Sequence, residues 1–416
     1  MTEYWLPLFK EFCGIFFKLI RMLYVNYLSC VGKTATFWFA GLLLGICRLE
    51  ATKETVLLET STGALFGTIE LPQGYPGYPV VLIIPGSGPT DRDGNSGLVA
   101  GKNDGLKQFA ETLSRRGIAS LRIDKRGVGS SAGALASETD LRFDDFVDDA
   151  IGWIELLRMD GRFSSVSVAG HSQGALVGML AVIEAGADAY ISIAGPGRKA
   201  GDLLREQLLP QLDATLFDQA DAILTELEEG RLVPNPPPEL ATLFRENVQP
   251  FFVSWLRFDP SLEIRKLEIP VLLVQGDSDL QVVVSDFERL SDAAPEADTD
   301  LIPGMNHVLK QTGLDMSLQL QSFVDPSVPL ADQLPQTVAR FLGQRIGTRV
   351  KIHRVDRDHL ELSWYPVNGA TSVLMSSSDL VDWKEAGRFT WSSSIVKTTV
   401  SAGSRQQFFR TLFLKP

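Results

Sequence analysis

Short apolar runs closed by Gly, Pro or Asp recur through the middle of the chain, at residues 80–84, 118–123, 166–169, 190–194, 271–274 and 299–302. Most alternate with amphipathic segments, which is the pattern of buried parallel strands joined by helices. Two earlier runs, 56–59 and 64–71, are separated by Ser61-Thr62-Gly63 and predict an antiparallel hairpin at the sheet edge. The fold class that follows is α/β, a doubly wound and mostly parallel sheet. Between Gly195 and Pro270 the next strand is delayed: 203–229 has helical periodicity, Pro234 to Pro238 break it, and 240–258 resumes with Phe251, Trp255 and Phe258 on one face. This predicts a helical cap at about 197–262. Its aromatic face either lines a substrate pocket, through Phe251 and Trp255, or packs the cap onto the core.

Beyond an amphipathic segment at 334–342 and two glycines at 343–347, the period changes to two. Alternation at 359–364 and 371–376, and again near 394–400 and 407–414, predicts a small all-β module. The chain therefore divides into an N-terminal signal peptide or anchor (1–51), a catalytic α/β domain (52–343) and a β-sandwich-like module (346–416). A length of 416 residues suits more than one domain.

Candidate chemistry sits in the loops after the predicted strands, which converge on one crevice in such a sheet. Gly170-His171-Ser172-Gln173-Gly174 follows one apolar run and opens a helix-like one, the strand, turn and helix setting of a nucleophile elbow. Gln275-Gly276-Asp277-Ser278-Asp279 and Pro303-Gly304-Met305-Asn306-His307 follow the last two runs. The order serine, acid, histidine distinguishes this arrangement from the other common serine-hydrolase orders. Of the four histidines, His171 lies inside the elbow and His353 and His359 fall in the tail, which leaves His307 as base.

From about residue 56 to 310 the chain resembles the α/β-hydrolases of the esterase and serine-aminopeptidase-like branch. The resemblance is carried by Pro85-Gly86-Ser87-Gly88-Pro89-Thr90-Asp91-Arg92-Asp93-Gly94-Asn95, by Asp124-Lys125-Arg126-Gly127-Val128-Gly129-Ser130-Ser131, by the elbow, and by 276–282 and 304–310. It extends into the cap through Val248-Gln249-Pro250 and Ser254-Trp255. It implies a carboxylic-ester hydrolase working through an acyl-enzyme, with Ser172 as nucleophile, Asp279 as acid and His307 as base. Asp277 competes for the acid role because both aspartates end the same strand; the later position is the usual one in this fold. Backbone N–H groups of Ser87 and Gln173 are the expected oxyanion donors. Arg92 is either a clamp for an acidic substrate or part of an ion-pair network bracing its loop, and the charges of Asp124, Lys125 and Arg126 are read as anchors of the next loop. A thioesterase or serine aminopeptidase would use the same site, the latter with an acidic cluster such as Glu226, Glu228 and Glu229 to hold an amine. A catalytically inactive envelope-binding protein is the reading from a different class.

No cofactor or metal is implied: no His, Cys and acidic cluster has ligand spacing, and Gly86-Ser87-Gly88 lacks the third glycine of a dinucleotide site. The net charge is −12, and discounting +4 for residues 346–416 and +2 for 1–50 leaves −18 on the hydrolase region. So acidic a domain is a poor partner for nucleic acid or an anionic membrane. The expected partner is a small-molecule ester. The tail resembles the fibronectin-type-III-like β-modules at the C-termini of some exported bacterial proteins, through 360–364, 376–383 and Phe408-Phe409-Arg410, and implies either an envelope contact or a spacer. Lys33, an uncharged run at 34–47, Arg48 and Ala51 read as a secretory signal, and the apolar, aromatic stretch at 4–28 as an interfacial anchor or a start placed ahead of Met22. All three cysteines, Cys13, Cys30 and Cys47, precede residue 48, so the exported enzyme would carry no disulfide.

Overall fold

Strand formation follows the apolar runs closely. The computed structural model describes residues 51–72, 77–346, 351–356, 358–364, 371–378, 384–389, 396–401 and 408–414. Eight strands, β1 (Thr52–Thr60), β2 (Gly63–Leu71), β3 (Tyr78–Ile84), β4 (Ala119–Ile123), β5 (Phe163–His171), β6 (Ala189–Ile193), β7 (Val271–Gly276) and β8 (Asp298–Ile302), form one sheet in the order β1-β2-β4-β3-β5-β6-β7-β8. The pairs β1 with β2 and β2 with β4 are antiparallel, and every other pair is parallel. The predicted edge hairpin and doubly wound sheet are both present.

The central strands read as continuous apolar runs because both of their faces are covered. In β3, Val80, Leu82 and Ile84 join a core shared with α2 (Phe143–Met159) and α3 (Gln173–Ala185). Val81 and Ile83 enter the opposite core with α1 (Gly105–Ser114) and α11 (Gln333–Arg345). Trp153, Phe109 and Tyr190 are fully buried. Burial of each such side chain contributes about 1.5–3 kcal/mol, which fixes strand register by fixing which face every residue takes.

The cap is more broken than its periodicity predicts. The stretch 203–229 is two helices, α4 (Ala200–Leu208) and α5 (Ala214–Glu228). Pro210 has no N–H to continue α4, and the Asp213 carboxylate accepts the Leu216 N–H to start α5. Residues 240–258 divide into α6 (Ala241–Phe244), a 3₁₀ turn (Glu246–Val248) and α7 (Gln249–Leu256), followed by α8 (Pro260–Glu263). Buried Gln249 ties the proline-rich link to the cap, accepting from the Val233 N–H and donating to the Val233 and Phe244 carbonyls. After β7 and β8 come α9 (Val284–Ala293) and α10 (Met316–Ser322).

The last helix of the domain extends past the first of the two glycines at 343–347. Helix α11 runs through Gly343 to Arg345, whose guanidinium pairs with Asp298 at 2.7 Å and secures the last turn. The tail contains two three-stranded antiparallel sheets. One has the order β13-β10-β9, from β9 (Lys351–Arg354), β10 (His359–Trp364) and β13 (Val396–Ser401). The other has the order β12-β11-β14, from β11 (Thr371–Ser377), β12 (Lys384–Phe389) and β14 (Phe408–Leu414). Leu362, Trp364, Leu374 and Val396 form a core common to both. Small antiparallel sheets are as far as the fibronectin-type-III-like likeness extends. Residues 1–50, where a signal or anchor is expected and where the three cysteines lie, are outside the described residues, as are residues 365–370. Among the described residues no helix is long and apolar enough to cross a membrane.

Candidate active site

The turn between β5 and α3 is sterically enforced. Ser172 adopts φ 55° and ψ −124°, a region that costs a residue with a Cβ about 1–3 kcal/mol. Its N–H donates to the Ile193 carbonyl at 3.0 Å, and its own carbonyl accepts the Ala175 N–H at 2.9 Å. The flanking glycines have a direct reason: a Cβ on Gly170 would stand 2.1 Å from the Gly174 carbonyl oxygen, and one on Gly174 would stand 2.5 Å from the Ile84 and Pro85 carbonyl oxygens. Strand, turn and helix therefore close so tightly that the serine hydroxyl is presented above the sheet.

His307 lies in the loop after β8, and its Nδ1 is 2.8 Å from Asp279 Oδ2. The aspartate is held by four donors in all: its Oδ1 accepts the Gln281 and Val282 N–H groups at 2.8 and 3.0 Å, and its Oδ2 also accepts from Gln275 Nε2 at 3.3 Å. An oxygen so placed is an acceptor, so the proton of the pair sits on His307 Nδ1 and Nε2 carries the lone pair. Asp277 is exposed and points elsewhere, its Oδ1 accepting the Gly304 N–H at 2.7 Å. It ties the β7 loop to the β8 loop instead of capping the turn that follows it. Asn306 braces the base from behind, donating to Ser322 Oγ at 2.7 Å and accepting the Lys310 N–H at 2.9 Å.

Sequence reasoning used His171 only to narrow the choice of base. Its Nε2 donates to the His307 carbonyl at 2.8 Å, and the two rings lie 4.9 Å apart. Burial, and then the neighbouring His307, push the His171 imidazole down to about 3, so it remains a neutral prop. Its position next to the serine was the only available signal.

Ser172 and His307 line one cavity of about 290 Å³ together with Ser87. Its walls are largely apolar and include Leu106, Leu208 and Leu240. A second cavity of about 60 Å³ shares Ser87 and is lined by Gln173, Phe146, Phe251 and Trp255. The aromatic face of the cap packs onto the core and also borders a cavity. Phe251, Trp255 and Phe258 surround Phe143 of α2 at ring distances of 6.1, 6.0 and 5.8 Å, while the first two also wall the small cavity.

Arg92 is not brought to the cavities. Its guanidinium pairs with Asp124 at 2.6 Å and donates to Thr68 at 2.9 Å, and its N–H donates to the other Asp124 oxygen at 2.8 Å. The bracing role is the one its contacts describe. Arg126 is likewise anchored on buried Asp149. Three acidic residues of the cap are taken by arginines, Glu226 and Glu229 by Arg231 and Glu228 by Arg205, and none of the three lines either cavity, whereas Glu206 and Glu239 line the larger one.

Comparison with known proteins adds a lineage. A family model described as "Alpha/beta hydrolase family" matches residues 80–310. Esterase EstD of Thermotoga maritima is 28% identical over 230 residues, 55% of this chain and 53% of that protein, so the chain spans about half the length of the curated relative it matches. Among solved structures, Est1E from Butyrivibrio proteoclasticus has 18% identity and a TM-score of 0.45, covering 70% of this chain and 99% of its own. An esterase of Pyrococcus furiosus has 16% identity and a TM-score of 0.46, covering 71% and 92%.

Proposed function

The chain belongs to the alpha/beta hydrolase family, and from that membership we propose that it cleaves carboxylic esters through a serine acyl-enzyme. The observation that carries the reading is Ser172 in its strained turn, facing the same cavity as a histidine whose Nδ1 is held by Asp279. His307 Nε2 takes the Ser172 proton as the hydroxyl attacks the acyl carbonyl, and the charge that develops on the imidazole is stabilised by Asp279. The oxyanion settles between the N–H groups of Ser87 and Gln173, where one donor is worth about 10² to 10³ in rate. His307 then protonates the leaving alcohol, and water repeats the sequence on the acyl-enzyme.

The two cavities give the proposal a direction. The leaving oxygen must sit against His307, which lines only the larger cavity, so the alcohol portion occupies that one. The acyl chain then turns past the oxyanion donors into the small aromatic cavity, which suits short, unbranched acyl groups. The three glutamates expected to hold an amine, Glu226, Glu228 and Glu229, are committed to arginines away from both cavities, whereas Glu206 and Glu239 of the cap line the larger one, so aminoacyl substrates belong in the test. A series of p-nitrophenyl esters tests this: turnover is expected to peak at two to four acyl carbons and to fall at least about tenfold by eight, on the scale of a few poorly placed methylenes. Failure to hydrolyse any of them, with thioesters or aminoacyl amides cleaved instead, would reject the ester reading.

We also propose export to the envelope, on the strength of the charged and apolar segments at 33–51. Fractionation of cells expressing the full chain tests it; recovery of the unprocessed protein from the cytosol alone is the contrary result.

A further inference from the structure

Lys125 follows β4 and is buried, 6% exposed, among apolar side chains at the wall of the small cavity. Among the described residues no carboxylate pairs with it. The neighbouring acids are occupied, Asp124 by Arg92, Asp149 by Arg126, and Glu138, which lines the same cavity, by Arg245. Phe146 lies beneath it with its ring centroid 5.6 Å from Nζ, and among the described residues the ammonium donates a hydrogen bond only to the carbonyl oxygen of Gly86. A cation buried without a counter-ion destabilises a fold, so packing gives no reason for a lysine here where a methionine would fill the same space. Burial alone pushes its ammonium down to about 7.

The acceptor explains it. The Gly86 carbonyl belongs to the same planar trans peptide as the Ser87 N–H, and in such a unit the C=O and N–H point in opposite directions. Fixing the oxygen fixes the hydrogen. The peptide also rests directly on the elbow, since a Cβ on Gly86 would lie 3.1 Å from Ser172 Cβ and 3.2 Å from His171 Nδ1. We propose that Lys125 is the positioning residue of the oxyanion hole, holding the Gly86 carbonyl from inside the fold so that the Ser87 N–H faces the oxygen of the reacting acyl group. A donor on the carbonyl also polarises the peptide and strengthens the N–H as a donor. The inference rests on the serine-hydrolase reading and names a residue that touches no reacting atom.

The test uses the full chain and two apolar replacements, Lys125→Met and Lys125→Leu, assayed with p-nitrophenyl acetate and with a trifluoromethyl ketone that forms an oxyanion adduct on the serine. In a folded variant kcat should fall by about 10- to 100-fold, approaching the loss of one oxyanion donor, while KM stays within about threefold. The ketone should bind more weakly by the same factor, because its adduct depends on the hole and the ground-state ester does not. Thermal stability at pH 7 should be unchanged or higher, as expected when an unpaired buried charge is removed. A kcat within threefold of the parent, or equal losses in kcat and in stability, would overturn the proposal. So would failure of both variants to fold, which would make the lysine a requirement of the fold. Should the parent chain itself neither hydrolyse esters nor react with a fluorophosphonate, the serine-hydrolase reading is what fails.

Discussion

At the scale of single residues the site divides into groups that react and groups that hold them. Asp279→Asn should lower kcat by roughly 10⁴, because the amide turns a donor towards His307 Nδ1 and upsets the tautomer. Asp277→Asn, which loosens links to the Gly304 N–H and the Ser278 hydroxyl, should stay within about threefold. Steady-state kinetics on one ester decide between them, and the reverse ranking would give the acid role to Asp277. His171 makes a different prediction. Its native imidazole, near 3, lies below the value of about 6.5 that it takes in the unfolded chain, so below pH 6.5 only the unfolded chain takes up the proton. The stability it contributes is present above pH 6.5 and is lost as pH falls towards 3. Buried Asp149, raised to about 6, works in the opposite sense, and comparison of variants removes its part. Between pH 7 and 4.5 the parent should lose roughly 2 kcal/mol more than His171→Gln in urea unfolding; parallel losses would contradict the account. The placement of Ser172 and His307 at one cavity, with Asp279 on the histidine, was legible in the sequence because motif and order constrain it. The roles of His171 and Lys125 were not, since each acts through a backbone carbonyl that is distant in the chain or across a loop, and no spacing encodes such a contact.

Among the elements, strands were easier to read than helices. Each central strand is buried on both faces and closed by a breaker, so its limits are written twice. Helix limits depend on single residues. Pro210 was signal enough to split 203–229, but the apolar period continues on either side of it and conceals the break. Gly343 was over-read, because one helical glycine costs only about 1 kcal/mol and the Arg345 to Asp298 pair carries the helix past it. The cap packs on α2 around Phe143, with Phe146 against Phe251 and Asp144 paired with Arg257 beside it. Phe143 is fully buried beneath Phe251, Trp255 and Phe258. Phe143→Ala should cost about 3–5 kcal/mol in urea unfolding and raise KM for short esters, as the wall of the small cavity loosens. A cost below about 1 kcal/mol would mean that the cap is held from elsewhere.

For the molecule as a whole, the sheet gathers three loops at one end and the cap covers them, while no described residue of the tail lines either cavity. A chain ending at Gly347 should therefore stay soluble and keep kcat/KM for a small ester within about threefold, each domain burying its own core. Normal circular dichroism with lost turnover would make the tail part of the site. The tail at 346–416 was legible only as strands, because alternation predicts strands without predicting how two small sheets join, and small antiparallel sheets are all that the structure adds. The central claim, that Ser172 is an activated nucleophile, has one direct measurement. The full-length protein is treated with a fluorophosphonate and the adduct is located by peptide mass spectrometry, with Ser172→Ala alongside. The account predicts a single adduct on Ser172 in the parent and none in the folded variant; equal labelling of the two, or an adduct on another serine, would contradict it.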